Sequence, residues 1–173
     1  MGNCRLALTQ AHIALTQPFN NKRNTMKSPK FLSSCLALAV ITAATTAQAG
    51  PPVTVTFKNL GTEAAVYTVV TGNEMSTQRN ARSPSPTVDA GRSDSYIVQS
   101  TVSPDTSYAT VRYVMGVKAC VFTTTFSKLP AAGGVRVPKW TKTATPGGGA
   151  VCTANSRVTS LASHAWAAEF TMK

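Results

Sequence analysis

Threonine and valine alternate along this chain, and that alternation limits the available folds more than any other feature. Val53-Thr54-Val55-Thr56-Phe57 has a period of two, which puts apolar side chains on one face of an extended strand and hydroxyls on the other. A helix has a period of 3.6 and would scatter the same residues around its axis. After the turn Asn59-Leu60-Gly61-Thr62, the stretch Ala64–Thr71 returns with Val66, Tyr67, Val69 and Val70 and completes a hairpin that Gly72-Asn73 ends. Ser95–Gln99 reads as a third strand. From Ala109 to Phe126 the β pattern is longest. Val111, Tyr113 and Met115 share one face with Arg112 opposite, Gly116 marks a bend, and Cys120, Phe122, Thr124 and Phe126 share a face beyond it. That length predicts two strands, or one bent strand serving two sheets. A short strand at Val135–Val137, another near Arg157–Leu161 and a last one at His164–Met172 complete the set.

The segments between are read from their punctuation. Glu74 to Arg92 is poor in apolar residues and broken by Pro84, Pro86 and Gly91, which predicts a long surface loop with Thr87-Val88 pairing at a sheet edge. Thr143–Ala150 carries Pro146 and three consecutive glycines and reads as a flexible loop. It is not a phosphate loop, because no Gly-Lys-Ser/Thr follows. With no amphipathic helix in the pattern, the expected fold is all-β, a single antiparallel β-sandwich or small barrel of about six to eight strands. Residues 50–173 suffice for one core and not for two domains.

The start of the chain addresses it outside the cytoplasm. From Met26 it reads Met-Lys-Ser-Pro-Lys, then an uncharged run from Phe31 to Ala47, then Ala47-Gln48-Ala49 before Gly50. A positive start, an apolar middle and a small-x-small end make a secretory signal peptide at 26–49, cut between Ala49 and Gly50. A membrane anchor needs about 20 predominantly apolar residues, and this run is diluted by Ser33, Ser34, Thr42, Thr45 and Thr46. Leu32-Ser33-Ser34-Cys35 resembles a lipid-acylation box but sits at the wrong end of the apolar run. Residues 1–25 are polar and unpatterned. They read as a disordered mis-start upstream of the true start at Met26, and Met1-Gly2-Asn3-Cys4 lacks the Ser or Thr at position six that myristoylation favours.

Charge and cysteine content follow from that cut. Of 17 basic residues, Arg5, Lys22, Arg23, Lys27 and Lys30 precede it and all 6 acidic residues follow it, so 12 cations face 6 anions for a net of +6. That suits weak attraction to an anionic surface, while an exported chain with no basic run is a poor partner for nucleic acid. Cys120 and Cys152 are the cysteines left, and in an oxidising compartment they are expected to pair, closing a loop of about 33 residues worth roughly 3–4 kcal/mol. No Cys-x-x-Cys spacing and a single remaining histidine, His164, leave nothing to suggest a metal, and no motif calls for a cofactor.

Candidate chemistry is sparse. His164 is the one imidazole base, but a regular strand puts it on a face with Trp166, Ala168 and Phe170, and no Gly-x-Ser-x-Gly elbow accompanies it. Glu63 and Glu74 flank the second strand, in turn positions where carboxylates serve solubility rather than glycoside hydrolysis. The most suggestive cluster is Arg136-Val137-Pro138-Lys139-Trp140-Thr141-Lys142. If extended, it sets Trp140 among Arg136 and Lys142, opposite Val135 and Val137. Arg136, Lys139, Trp140 and Lys142 are thus the candidate binding residues, for an acidic protein surface, a sugar or an anionic membrane interface; the alternative is that Trp140 plugs one end of the core. Arg79, Arg82 and Arg92 decorate the long loop. The expected function is a secreted or periplasmic binding module for an extracytoplasmic protein or anionic cell-surface component, an inhibitor-type role included. A membrane-active β protein is the first alternative and a hydrolase with an unrecognised site the second.

Overall fold

Burial explains the alternation. In β1 (Val53–Asn59), Val53, Val55, Phe57 and Asn59 are buried, whereas Thr54, Thr56 and Lys58 face outward. The structure is a computed structural model that describes residues 49–173. The expected leader at 26–49, apart from Ala49, and the upstream stretch 1–25 lie outside the described residues.

Two sheets carry the described chain. The first comprises β1, β4 (Ser93–Val98), β8 (Cys152–Val158) and β9 (Trp166–Met172) in the order β4-β1-β9-β8. The second comprises β2 (Ala65–Thr68), β3 (Thr87–Val88), β5 (Thr106–Met115), β6 (Lys118–Pro130) and β7 (Arg136–Gly147) in the order β3-β2-β5-β6-β7. Val55, Phe57, Val98, Trp166 and Phe170 of the first sheet and Val111, Tyr113, Phe122 and Phe126 of the second belong to one hydrophobic core. Phe57 stacks on Tyr113 with ring centroids 3.5 Å apart, and Phe122 on Phe170 at 4.7 Å. The Trp166 indole N–H donates to Thr124 Oγ1 at 2.9 Å, so the polar handle of the largest core side chain finds a partner in the other sheet.

Cys120 of β6 and Cys152 of β8 form the expected disulfide, with Cα atoms 5.8 Å apart. It joins the second sheet to the edge strand of the first.

The hairpin expected from the first two strands does not form, since β1 and β2 lie in different sheets, and four further expectations need correction. Nine strands are present among the described residues, not six to eight. The pairing is not wholly antiparallel, because β1 and β9 run parallel, Val55 opposite Ala168 and Phe57 opposite Phe170. No hairpin can join parallel neighbours; here nearly the whole domain is the connection, and alternation carries no information on strand direction. The stretch Thr143–Gly147 is not a loop, since β7 runs unbroken from Arg136 to Gly147 in register with β6. Only the glycines beyond it turn, with Gly148 and Gly149 at φ of 62° and 78°.

The fourth correction concerns the long loop, which opens with a helix, α1 (Gly72–Asn80). Thr71 caps it: its side chain accepts from the Glu74 N–H while the Glu74 carboxylate accepts from the Thr71 N–H at 3.0 Å. This reciprocal box satisfies amides that a helix start leaves unpaired. Apolar periodicity could not have found α1, because its buried residues are Glu74 and Thr77. The helix is held by polar contacts at two sheet edges. β5 is longer than β2, and where β2 ends, the Thr110 N–H donates to Thr77 Oγ1 at 2.8 Å. Just past the helix, the Arg82 N–H donates to the Ile97 carbonyl and the Gln99 N–H to the Asn80 carbonyl, which covers the edge of β4. One segment thereby protects an edge of each sheet.

Candidate functional site

The basic-aromatic cluster lies on β7, whose one ladder partner is β6. Lys128 turns its N–H toward β5, donating to the Asp105 carbonyl at 2.9 Å. Pro138 sits opposite Lys128, so its missing donor falls on the side away from β6, where the ladder needs none. The same parity turns the N–H groups of Trp140, Lys142 and Ala144 toward the free edge. Side chains alternate as well. Pro138, Trp140 and Ala144 are half-buried, the last two against the core, while Val137, Lys139, Thr141, Thr143 and Thr145 are exposed on the outer face.

The structure separates the four candidate residues by role. Trp140 is turned inward, 5.5 Å from Phe126 between ring centroids, and its indole N–H donates to the His164 carbonyl at 3.3 Å. Its ring closes one end of the core, as the alternative reading of the sequence expected. Arg136 pairs with Asp105, which also meets Lys128 at 3.4 Å, so one carboxylate serves two cations. Lys139 and Lys142 are exposed, leave opposite faces of β7, and form no ion pair among the described residues. The two lysines therefore leave opposite faces of a strand at the edge of its sheet.

Beside this rim, the outer face of the second sheet is a field of hydroxyls. Thr110, Thr123 and Thr143 lie in one cross-strand row, of which Thr110 is itself buried, and Tyr108, Thr125 and Thr141 lie in the next. Thr110 and Thr123 share a hydrogen bond at 3.2 Å, and Thr125 bonds Thr141. Neighbouring strands stand about 4.8 Å apart, so these rows form a regular polar lattice next to the cations. Sequence reasoning missed it: the threonines are visible as single residues, but their alignment depends on the β6–β7 register.

Glu74 is the largest departure from the sequence reading. It was expected in an exposed turn and is wholly buried. Its carboxylate accepts the Val70 N–H at 2.6 Å and meets the Arg112 guanidinium at 2.9 and 3.0 Å. Burial on its own would raise this carboxyl, but the Thr71 and Val70 amides and Arg112 outweigh it and hold the group below the ordinary carboxylate range. Glu74 is a structural anion.

His164 lies at one end of the molecule, in a shallow depression with Ser163, Lys128 and the segment 49–52. Its backbone is left-handed at φ 59°, and its ring stacks on Phe126 at 5.1 Å. The Nδ1 atom has no hydrogen-bond partner among the described residues, so no carboxylate there orients the imidazole as in a triad. On the first sheet, Thr56, Asn155, Arg157 and Glu169 rim a second shallow depression of about 260 Å³ floored by Ala167; Glu169 there is bound to Lys58 at 2.7 Å. Arg79 stands over the Met75 sulfur at 3.5 Å on α1, and the structure does not gather it with Arg82 and Arg92 into an ion-paired cluster. No protein-family model, curated protein or solved structure matches this chain, so its function is argued from these residues alone.

Proposed function

We propose that the chain is an exported, non-enzymatic binding module, a β-sandwich whose β7 rim recognises an anionic component of the cell exterior such as an acidic glycan. The observation that carries this reading is the pair Lys139 and Lys142, which stand on opposite faces of the edge strand β7 with no carboxylate partner among the described residues. Arg136 and Lys128 extend the rim, and Asp105 offsets one of their two charges. Outward amides at Trp140, Lys142 and Ala144 add neutral donors, and the threonine rows add hydroxyls of the kind that bond sugar oxygens. Exposed charges are individually weak and screened by salt, so affinity comes from several acting together on a polyanion.

The test uses protein recovered from an exporting host and polygalacturonate or dextran sulfate as probes. At low ionic strength, charge reversal of both lysines (K139E with K142E) is expected to weaken binding about tenfold or more, and 0.5 M salt to abolish most of it. R157E, on the other sheet, is the control and leaves affinity within about twofold. No binding at low salt, or an equal loss from R157E, would sink the proposal.

A membrane-contact reading is favoured by a different observation. Leu60, Val117 and Val151 are 54%, 88% and 60% exposed. Leu60 and Val117 line one depression with Lys118 and Lys173, and Val151 bonds Lys173 through both backbone groups. Leakage from phosphatidylglycerol vesicles that V117D abolishes would support this reading over the first; intact vesicles would remove it.

A further inference from the structure

Gly50, the residue expected to follow the cleavage point, is enclosed. It is buried while Ala49 before it is exposed. Its N–H donates to the Ser100 carbonyl at 2.8 Å, and its own carbonyl accepts from Gln99 Nε2 at 3.1 Å. A Cβ at this position would fall 2.7 Å from the Ser103 carbonyl oxygen, 2.9 Å from that of Thr106 and 3.1 Å from Ser107 Cβ. Two of those contacts are to backbone, which cannot swing away, so only glycine fits. Ser107 is fully buried, and its hydroxyl has no hydrogen-bond partner among the described residues. One carbonyl thus meets the Gly50 nitrogen, while two more and the Ser107 side chain crowd its Cα, around a residue that offers one amide hydrogen.

We propose that this pocket is built for the α-ammonium group of a processed chain, and that cleavage after Ala49 completes the fold by seating Gly50 as its N-terminus. The proposal rests on the export reading and is independent of what β7 binds. In the cleavage, an exported-protein peptidase adds water across the Ala49–Gly50 amide. The C–N bond breaks, the hydroxyl stays on the Ala49 carbonyl carbon to give a carboxylate, and the nitrogen leaves as an amine that takes up a proton. One donor becomes three. An ammonium can keep the Ser100 carbonyl and reach further acceptors in the cradle, including Ser107 Oγ, with charge-assisted bonds stronger than the single amide contact. In a fold without the ammonium, the Ser107 hydroxyl stays buried and unpaired, an arrangement that costs stability.

The placement also explains a coincidence in the sequence. A signal peptidase needs small residues at 47 and 49, but the glycine at 50 is demanded by the fold. A buried scissile nitrogen further requires that cleavage precede folding, since the peptidase cannot reach it afterwards.

The test uses the full chain expressed with export, and the recovered protein is treated with a dilute acylating reagent at neutral pH. Mass spectrometry is expected to find the chain starting at Gly50. Its α-amine should acylate about tenfold or more slowly in the folded protein than in urea, measured against lysine side chains in the same sample. In Ser107→Ala that protection should fall several-fold. A mature chain starting elsewhere would overturn the cleavage site, and with it the cradle. A chain starting at Gly50 whose amine acylates as fast folded as unfolded would overturn the cradle and leave export standing. Unchanged protection in Ser107→Ala would remove the hydroxyl from it.

Discussion

Glu74 shows how much one side chain can organise here. It caps α1, takes the Val70 amide and holds Arg112 on the outward side of β5. Removing one member of a buried charge pair leaves the other unmatched, so E74Q is expected to cost about 3 kcal/mol, read as a lower urea midpoint with unchanged slope. The pH dependence has a definite sign. A carboxyl held below its ordinary range in the fold stabilises above the unfolded pKa, and that contribution disappears as pH falls through the folded value. Acid unfolding of E74Q should therefore be shallower than that of the parent across this window. The tyrosines act at the other end of the scale. Tyr67 is pushed up to about 12 by burial and by the Glu74 charge, while Tyr96 and Tyr113 are raised by burial, their hydroxyls 3.2 Å apart. Stability from groups raised in the fold is full below pH 10 and is lost as pH climbs beyond it. In Y108F, which removes the fourth tyrosine, phenolate absorbance should show these three ionising together with alkaline unfolding; a gradual titration near pH 10 in that folded variant would contradict their raised values.

At the scale of elements, edge management explains the parts that composition did not. α1 has no apolar stripe, yet Thr77 supplies the acceptor that the Thr110 amide would otherwise lack. T77V keeps the shape and deletes the oxygen, and a loss of about 1–3 kcal/mol in thermal or urea unfolding is expected. The Thr71-Gly72-Asn73-Glu74 box was legible as a helix start, since Thr-x-x-Glu is the capping signature. Gly72-Asn73 also reads as a turn, and without an apolar run behind it the turn reading prevailed. β7 failed in the opposite way. Pro138, Pro146 and the glycines suggested loop, but proline is tolerated on an edge strand where its nitrogen faces outward. Of the candidate site, the lysines and Arg136 could be picked out from the chain. That Trp140 closes one end of the core was the alternative reading of the chain; its bond to the His164 carbonyl joins distant segments and could not be read there.

For the molecule as a whole, the Cys120–Cys152 bond links two sheets that otherwise meet through side chains. Reducing it under native conditions should remove about 3–4 kcal/mol and lower Tm by roughly 10–15 °C, followed by calorimetry with and without reductant. Residue order alone was enough to show that this chain is β-rich, which residues alternate inward, and which two cysteines were left to pair. Those properties are local, set by side-chain period and by how many thiols remain after the expected cut. The tertiary structure alone decided that β1 and β9 run parallel, that a carboxylate expected in water lies buried, and that three carbonyls close around Gly50. Each of these joins residues far apart in the chain, and period-two patterning says which face a residue takes but nothing about which distant strand will lie beside it.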